Sequence, residues 1–284
     1  MPVLLIHGGA GTVSDPRKRK AMALALSEVL SKTWPVLLKA GSRAAVVRAV
    51  QLLEDNPLFN AGIGSKLQAD GEARLSASLM DGPRMRFAGV INVTGLRNPI
   101  LLARQLLEEE DRVLCGEGAL NRARELGLEE CDVRTRKTIE AFKDSIVGKT
   151  GTVGAVAVDT ASHLAAATST GGRGMERVGR VSDSCTVAGN YADDQGAVSC
   201  TGIGEDIVDA AIATRLVTGL STGESLQEVS QRCISLMRSK GWRAGYIAVD
   251  HNEDWVAART TPSLYWAVRT PEKEEGFWKE SLSE

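Results

Sequence analysis

Gly151 and Thr152 stand where a basic, polar segment gives way to an apolar, β-prone run. A threonine hydroxyl is a weak nucleophile without an adjacent base, but a threonine at the start of a chain carries its own base. That base is the free α-amine, which titrates near ~7.7–8.0. Glycine at 151 permits the strained backbone that attack of the hydroxyl on the preceding carbonyl requires. The pair therefore indicates cleavage after Gly151 and a terminal threonine nucleophile.

Arg180 and Asp183 place a cation and a carboxylate three residues apart in a short polar segment. A guanidinium can hold an α-carboxylate through two parallel hydrogen bonds, and an aspartate can accept an α-ammonium. This spacing suits a substrate that carries the zwitterion of a free amino acid. A surface salt bridge between the two side chains is the competing interpretation, because such pairs are common and contribute little.

Other familiar catalytic motifs are absent from the sequence. Gly148-Lys149-Thr150 resembles the end of a phosphate-binding P-loop, but Lys143 stands where that motif needs glycine. Residues 7–11 resemble a dinucleotide-binding loop, but Ser14 occupies the third glycine position. There is no GxSxG or HExxH motif, and two of the three histidines, His163 and His251, have turn-like neighbours. A histidine-based triad or zinc centre is therefore not favoured.

The composition is that of a soluble globular protein of 284 residues, with 43% hydrophobic and 25% charged residues. A net charge of −2 gives no electrostatic footprint for nucleic acid or an anionic membrane. The five cysteines form no CxxC pair, so we expect reduced thiols. The first residues lack the cationic region of a signal peptide, and we expect a cytoplasmic protein.

Strands occur in clusters and helices in blocks between them, which predicts a layered α+β sandwich rather than a regular βαβ alternation. Residues 16–54 read as two helices, with interruptions at Trp34-Pro35 and Gly41-Ser42. Residues 134–149 read as an exposed linker. The predicted strands are 2–6, 72–80, 86–93, 152–159, 164–169, 185–191, 197–201, 244–250 and 255–260, and the further helices are 99–110, 116–126, 133–142, 206–218 and 225–239.

Six short clusters carry a family resemblance when they are taken in order. They are residues 7–11 (HGGAG), 53–62 (LEDNPLFNAG), 151–156 (GTVGAV), 169–172 (STGG), 179–181 (GRV), and 201–202 with 204–205 (TG and GE). Each alone is typical of a turn in a β-rich protein. Together they resemble the plant-type L-asparaginase / isoaspartyl peptidase family of N-terminal nucleophile (Ntn) hydrolases.

The resemblance implies a four-layer αββα sandwich and a hydrolase of the β-amide of isoaspartyl peptides and L-asparagine. One domain, residues 1–284, would cut itself into chains 1–151 and 152–284, and two such pairs would form a dimer. The substrate would be a small molecule or dipeptide with a free α-amino-acid end, and no nucleic acid or membrane is implied as a partner.

The resemblance also implies roles for particular residues. Thr152 would be the nucleophile, supported by the hydroxyl of Thr170, and Asn60 would orient the reacting groups. Arg180 and Asp183 would hold the α-carboxylate and α-ammonium of the substrate, with Gly204 in the same subsite. The oxyanion donors would be Thr201 and the N–H of Gly202.

A structural sodium ion is the one cofactor the resemblance raises. In the family, a loop like residues 53–63 often binds sodium through backbone carbonyls. The corresponding residues here are Leu53, Glu54, Asn56, Phe59, Ala61 and Ile63.

The sequence departs from the family pattern near these residues. Ser182 and Cys185 flank Asp183-Ser184 where Gly-Asp-Ser-Pro is usual, and Val187 replaces a glycine. A non-glycine at 182 would crowd the turn if that position needs a positive φ. Ser76 stands where aspartate is common, and Lys149-Thr150 where His or Met is frequent. Two alternatives stay open: a glycosylasparaginase-like hydrolase, and an unprocessed, non-catalytic relative that acts as a binding or scaffold protein.

Overall fold

The computed structural model describes residues 1–11, 13, 15–144 and 151–278. The helices are α1 (Pro16–Glu54), α2 (Pro99–Leu106), α3 (Gly116–Glu125), α4 (Arg136–Lys143), α5 (Gly204–Ala210), α6 (Ile212–Leu220) and α7 (Leu226–Lys240). The strands are β1 (Val3–Ala10), β2 (Leu75–Asp81), β3 (Arg86–Val93), β4 (Val113–Cys115), β5 (Val153–Val158), β6 (Leu164–Thr170), β7 (Asn190–Ala192), β8 (Gly196–Gly202), β9 (Ala244–Asp250), β10 (Trp255–Arg259), β11 (Leu264–Arg269) and β12 (Glu274–Gly276).

The described strands form two sheets. The larger has eight strands in the order β12-β11-β1-β5-β6-β2-β3-β4, and the smaller has the order β10-β9-β8-β7. Neighbouring strands run antiparallel except β3 and β4, which are parallel. Helices pack on both sheets, so the predicted mixed α+β class is confirmed.

Strand β5 lies at the centre of the larger sheet, and all six of its residues are buried. It pairs with β1 on one side and β6 on the other. Its uninterrupted run of small apolar residues suits a strand that is covered on both faces. Strands β5 and β6 also contact β8 of the smaller sheet. The residue that precedes β5 is Thr152, so the central strand fixes the position of this threonine.

Two apolar cores stabilise these layers. The larger core joins α1 and α2 to the eight-stranded sheet. The smaller core lies between β8 and β9 on one side and helices α6 and α7 on the other. Burial of this apolar surface provides most of the driving force that holds the layers together.

Helix α1 confirms one of its two predicted interruptions and contradicts the other. Gly41 has φ 83°, and the Asp159 carboxylate accepts a 3.0 Å hydrogen bond from the backbone N–H of Ser42, which restarts the helix there. The helix continues through Pro35, because buried Trp34 and Leu37 anchor it on both sides of the proline. By length and composition alone α1 could cross a membrane. Buried core helices meet the same criterion.

Three other sequence-based predictions need correction. The predicted strand 185–191 survives only at its end, in β7 (Asn190–Ala192), because the Ser182 hydroxyl accepts the N–H of Ser184 and opens a 3₁₀ turn (Asp183–Cys185). The predicted helix 206–218 is broken at Ala211, which has φ 47°. Strands β4, β11 and β12 were not predicted at all, although β4 pairs with β3 and β11 pairs with β1.

The predicted linker contains α4, which has no fully buried residue. Residues 145–150, which include Lys149-Thr150, lie outside the described residues, as does Ser14.

Candidate active site

Thr152 and Thr170 face each other at the ends of β5 and β6. The pairing of Val153 with Ser169 sets this register, and both threonines are buried, with Thr152 9% exposed. The Thr152 hydroxyl donates a 3.2 Å hydrogen bond to the Thr170 hydroxyl, which also accepts the N–H of Gly172 at 3.1 Å. Because its proton is directed at Thr170, the Thr152 oxygen keeps its lone pairs available for attack.

Asn60 holds the Gly151 carbonyl through its backbone. Its N–H donates to the Gly151 oxygen at 3.1 Å, and Gly151 has φ 142°, a left-handed value that favours glycine. A Cβ at 151 would overlap the Cβ of Asn60. The Asn60 side chain is itself fixed, since it donates to the Gly172 carbonyl at 2.6 Å and accepts the N–H of Lys66 at 2.8 Å. The peptide bond between residues 151 and 152 is therefore held by a rigid neighbour.

Arg180 and Asp183 do not form the surface salt bridge that was the competing interpretation. The Arg180 guanidinium donates to both carboxylate oxygens of Glu205, at 3.0 and 3.2 Å. Asp183 is 4% exposed and accepts the Ser182 hydroxyl at 3.2 Å, while its Oδ2 atom has no hydrogen-bond partner among the described residues. Burial raises the pKa of Asp183 to about 6, and the nearby Arg180 charge limits that rise.

Gly204, the first residue of α5, lies between these two side chains. A side chain at 204 would overlap the Arg180 guanidinium and come within 2.7 Å of the Asp183 Oδ1 atom. The absence of a side chain at 204 therefore leaves a gap between a cation and a buried carboxylate. Such a gap matches the two charges of an amino-acid zwitterion.

A cavity of about 20 Å³ joins the nucleophile to this gap. That volume is enough for about one water molecule, so the uncleaved chain leaves no room for an amino acid. Gly151 forms part of its wall. The lining residues are Gly151, Thr152, Thr170, Gly172, Arg173, Arg180, Ser182, Asp183, Gly202 and Gly204.

Thr201 and Gly202 end strand β8 beside the site. Gly202 lines the cavity and has φ 146°, and a Cβ there would approach the Ala244 Cα atom to 2.6 Å. Thr201 is buried, and its hydroxyl accepts the N–H of Ala10 at 3.1 Å. Thr201 is not among the cavity-lining residues in the uncleaved chain.

Several polar residues near the site were not given roles by the sequence. Glu205 orients Arg180. In the sequence, its position after Gly204 in the last of the six clusters is the one feature that points to Glu205. His7 is fully buried and lies 2.9 Å from the Ser199 hydroxyl, and burial lowers its pKa to about 3. The imidazole is therefore neutral and belongs to the packing between the sheets.

Glu54 is a second buried group without a predicted side-chain role. Its carboxyl accepts the Ser169 hydroxyl at 2.7 Å, the Asn98 amide at 3.2 Å and the N–H of Ile100 at 3.2 Å. Burial raises its pKa to about 8, and these donors limit the rise. The carboxyl ties helix α2 to the strand that carries Thr170, so it supports the site from behind.

The loop after α1 has the donor chemistry that the sodium hypothesis requires. The Glu54 carbonyl accepts the N–H of Ile63 at 2.8 Å, and the Asn56 carbonyl accepts that of Phe59 at 3.1 Å. A carbonyl oxygen has two lone pairs, so each keeps one for a hard cation. Among the described residues no cluster of three His, Cys, Asp or Glu side chains could hold a metal. A sodium ion on the backbone oxygens of this loop stays a prediction.

The departures from the family pattern leave the site unstrained. Ser182 has φ −80°, so the expected crowding of this turn is wrong. Cys185 is buried with its thiol 3.6 Å from the Ala77 carbonyl, and Val187 is 47% exposed. The Ser76 hydroxyl accepts the N–H of Asn92 at 3.1 Å. All five cysteines are unpaired thiols.

On this mixed α+β fold, paired threonine hydroxyls beside a cation and a buried carboxylate indicate a hydrolase. A family model described as asparaginase matches residues 1–146 and 135–277. Isoaspartyl peptidase/L-asparaginase from Synechocystis sp. is 40% identical, covering 95% of this chain and 88% of the relative. The relatives of that name from Nostoc sp. and Homo sapiens are 41% and 38% identical, covering 96% and 94% of this chain and 93% and 92% of their own. The chain therefore belongs to the isoaspartyl peptidase/L-asparaginase family and is a hydrolase.

Proposed function

We propose that this protein is a self-processing amidohydrolase that cleaves the β-amide of isoaspartyl peptides and of L-asparagine. The observation that carries the proposal is the position of the Thr152 hydroxyl. It lies against Thr170 and immediately after a carbonyl held by Asn60. Family membership supports the same activity, because the relatives are named for it.

Maturation would begin with attack of the Thr152 hydroxyl on the Gly151 carbonyl carbon. The C–N bond breaks, the hydroxyl proton is transferred to the departing nitrogen, and an ester joins Gly151 to the threonine oxygen. Water then hydrolyses the ester, which leaves a carboxylate on Gly151 and a free α-amine on Thr152. The N–H of Asn60 is aimed at the oxygen that becomes negative in the first step.

Turnover would use the same hydroxyl with its new α-amine as the base. The amine takes the hydroxyl proton as the oxygen attacks the β-carbonyl of the substrate, and returns it to the departing ammonia or amino acid. Thr201 and the N–H of Gly202 bind the oxyanion, which is worth roughly 3–4 kcal/mol per donor in other hydrolases. Water then attacks the β-aspartyl ester, the amine takes its proton, and aspartate is released as Thr152 recovers its hydroxyl hydrogen.

Recognition of the substrate would fall to Arg180 and Asp183. The guanidinium binds the α-carboxylate with the edge that Glu205 leaves open. Asp183 accepts the α-ammonium with its Oδ1 atom, which faces the gap at Gly204. Asparagine and a β-aspartyl peptide share this end and differ only in the leaving group. One site therefore serves both.

The architecture that supports this chemistry would have four layers, helix–sheet–sheet–helix. The contacts of α1 with β5, of β5 and β6 with β8, and of β8 with α6 support this arrangement. We propose that residues 1–284 act as one unit cut into 1–151 and 152–284, and that two such pairs form a dimer in the cytoplasm. A sodium ion on the carbonyls of loop 53–63 would stabilise the segment that carries Asn60.

Denaturing intact-mass spectrometry tests the central step. Freshly purified and aged protein is compared with Thr152→Ala, and we expect two fragments, one ending at Gly151 and one beginning at Thr152, absent from the variant. A single full-length mass after prolonged incubation would overturn self-processing and favour a non-catalytic binding role. Processed enzyme is then offered a β-aspartyl dipeptide, asparagine and glycosyl-asparagine. Preference for the last would assign the chain to glycosylasparaginase activity instead.

A further inference from the structure

A second and larger cavity lies on the other side of Gly151. It has a volume of about 160 Å³, and Gly151 is the residue that its lining shares with the smaller cavity at Thr152. Asn60 and Gly8 also line it. Withdrawal of Gly151 after cleavage would therefore join the two cavities into one continuous site.

The larger cavity, the lysine cavity, has a cationic wall. Lys18 from α1, Lys66 from the loop after Asn60 and Lys137 from α4 all line it, and no Asp or Glu occurs among its described lining residues. The apolar part of the wall comes from Met22, Phe59, Phe142, Met175 and Tyr265. Cations gathered from three separate segments around an apolar pocket are arranged to receive an anion with a hydrophobic body.

Lys66 is fixed in this wall rather than spread on the surface. Its backbone N–H is bonded to the Asn60 side chain at 2.8 Å, and a Cβ at Gly174 would lie 3.1 Å from its Cδ atom. Burial lowers the pKa of Lys66 to about 8, with the Glu176 charge opposing the change, so the ammonium is largely protonated at pH 7. Burial and the Lys137 charge also lower the pKa of Lys18. This repulsion would be relieved by a bound anion.

The direction of the leaving group follows from the proton it must receive. The α-amine of mature Thr152 is the nitrogen once bonded to Gly151, so it lies on the side of the site that Asn60 borders. A leaving nitrogen must approach this amine, while Arg180 and Asp183 hold the opposite end of the substrate. The remainder of the leaving group therefore extends into the space beyond Asn60, which is the lysine cavity.

We propose that the lysine cavity is the leaving-group subsite, and that Lys66, assisted by Lys18 and Lys137, selects a leaving amino acid with a free carboxylate. This inference rests on the proposed function. A β-aspartyl dipeptide releases such an amino acid, whereas its C-terminal amide releases a neutral one and asparagine releases ammonia. Isoaspartyl dipeptides with a free C-terminal carboxylate are then better substrates than their C-terminal amides.

The test compares β-aspartyl-leucine with its C-terminal amide in the processed enzyme. The readout is the ratio of kcat/KM for the free acid to that for the amide, measured within one preparation so that incomplete folding or maturation cancels. We expect the wild-type ratio to be roughly tenfold or more, because hydrogen bonds to charged groups are worth about that factor. Lys66→Met should lower the ratio several-fold, Lys66→Arg should preserve it, and the exposed Lys240→Met is the matched control.

Each other outcome has a distinct meaning. The wild type could hydrolyse both dipeptides at equal rates, or Lys66→Met could leave the ratio unchanged. Either result would overturn the assignment of the lysine cavity but not the proposed amidohydrolase activity. Equal loss on both substrates in Lys66→Met would also overturn it, since that pattern reports a structural role. Failure of the processed wild type to hydrolyse either dipeptide or asparagine would overturn the proposed function, and the subsite with it.

Discussion

The backbone N–H of Asn60 donates a 3.1 Å hydrogen bond to the carbonyl of Gly151, although the two residues lie in different parts of the chain. The carbonyl of Asn60 in turn accepts the N–H of Gly171 at 2.9 Å, so the donor is clamped from both sides. A fixed donor on this oxygen polarises the carbonyl next to the Thr152 hydroxyl. It also stabilises the negative charge that develops when that carbonyl is attacked.

Gly151→Ala should slow self-cleavage at least tenfold. The new Cβ would overlap the Asn60 Cβ at a φ of 142°, which moves the carbonyl away from its donor. The fraction of cleaved chain is followed over time by denaturing mass spectrometry. Gly127→Ala is the matched control, since Gly127 has φ 67° and a Cβ added there would have no heavy atom within 4 Å. Cleavage of Gly151→Ala at the wild-type rate would contradict this role of the glycine.

Thr170→Val should lower kcat by ~10- to 100-fold, because it removes the acceptor that aligns the Thr152 hydroxyl. Valine preserves the shape of the side chain, so the fold should be retained. Steady-state rates on β-aspartyl-leucine are normalised to the processed fraction of each preparation. Thr170→Ser, which keeps the hydroxyl, should recover most of the activity, and a valine variant with wild-type kcat would show that the contact is dispensable.

Binding of L-aspartate should weaken as the pH falls through about 6, the raised pKa of Asp183. At pH 5 only about a tenth of the Asp183 carboxyl is ionised to accept the α-ammonium, so the affinity should be roughly tenfold lower than at pH 7. Protonation of the Thr152 amine acts in the opposite direction, since it attracts the product β-carboxylate. Inhibition constants measured across this pH range provide the test, and an affinity that rises at low pH would exclude the assignment.

The same group should make stability depend on pH. Asp183 binds its proton more tightly in the folded chain than the ordinary carboxyl pKa of 3.8 allows in the unfolded one. The free energy of unfolding should therefore fall as the pH rises from 3.8 to about 6. Asp183→Asn, which cannot ionise, should remove this part of the dependence in denaturant titrations. If the variant showed the same dependence of the free energy of unfolding on pH, a group other than Asp183 would be its cause.

Glu205→Gln should raise KM several-fold with little change in kcat. The Glu205 carboxylate accepts hydrogen bonds from the Nε and Nη2 atoms of Arg180, and a neutral amide would hold the guanidinium less firmly. The pair contributes little to stability because Glu205 is 51% exposed. Glu130→Gln, which weakens the exposed pair of Glu130 with Arg124, is the control and should leave both constants unchanged. A kcat effect as large as the KM effect would indicate a role in chemistry.

Local chemistry made several elements predictable. Strand β5 is apolar along its whole length, and Gly41 breaks helix α1 because its backbone takes a left-handed φ. The errors came where a tertiary contact decided the local structure. Buried anchors on either side of Pro35 keep α1 continuous, and the Ser182 hydroxyl turns residues 183–185 away from the extended form that their neighbours suggest.

The sequence by itself determined the α+β class, the family, and the residue types available for chemistry, because these depend on local patterns and ordered motifs. Only the tertiary structure decided that Arg180 binds Glu205, that Asp183 is buried beside Gly204, and that lysines from three segments line one cavity. Pairs of side chains distant along the chain leave no periodic signal. Their distances and desolvation are set by how the two sheets pack, and those two quantities fix the pKa values and the shape of the site.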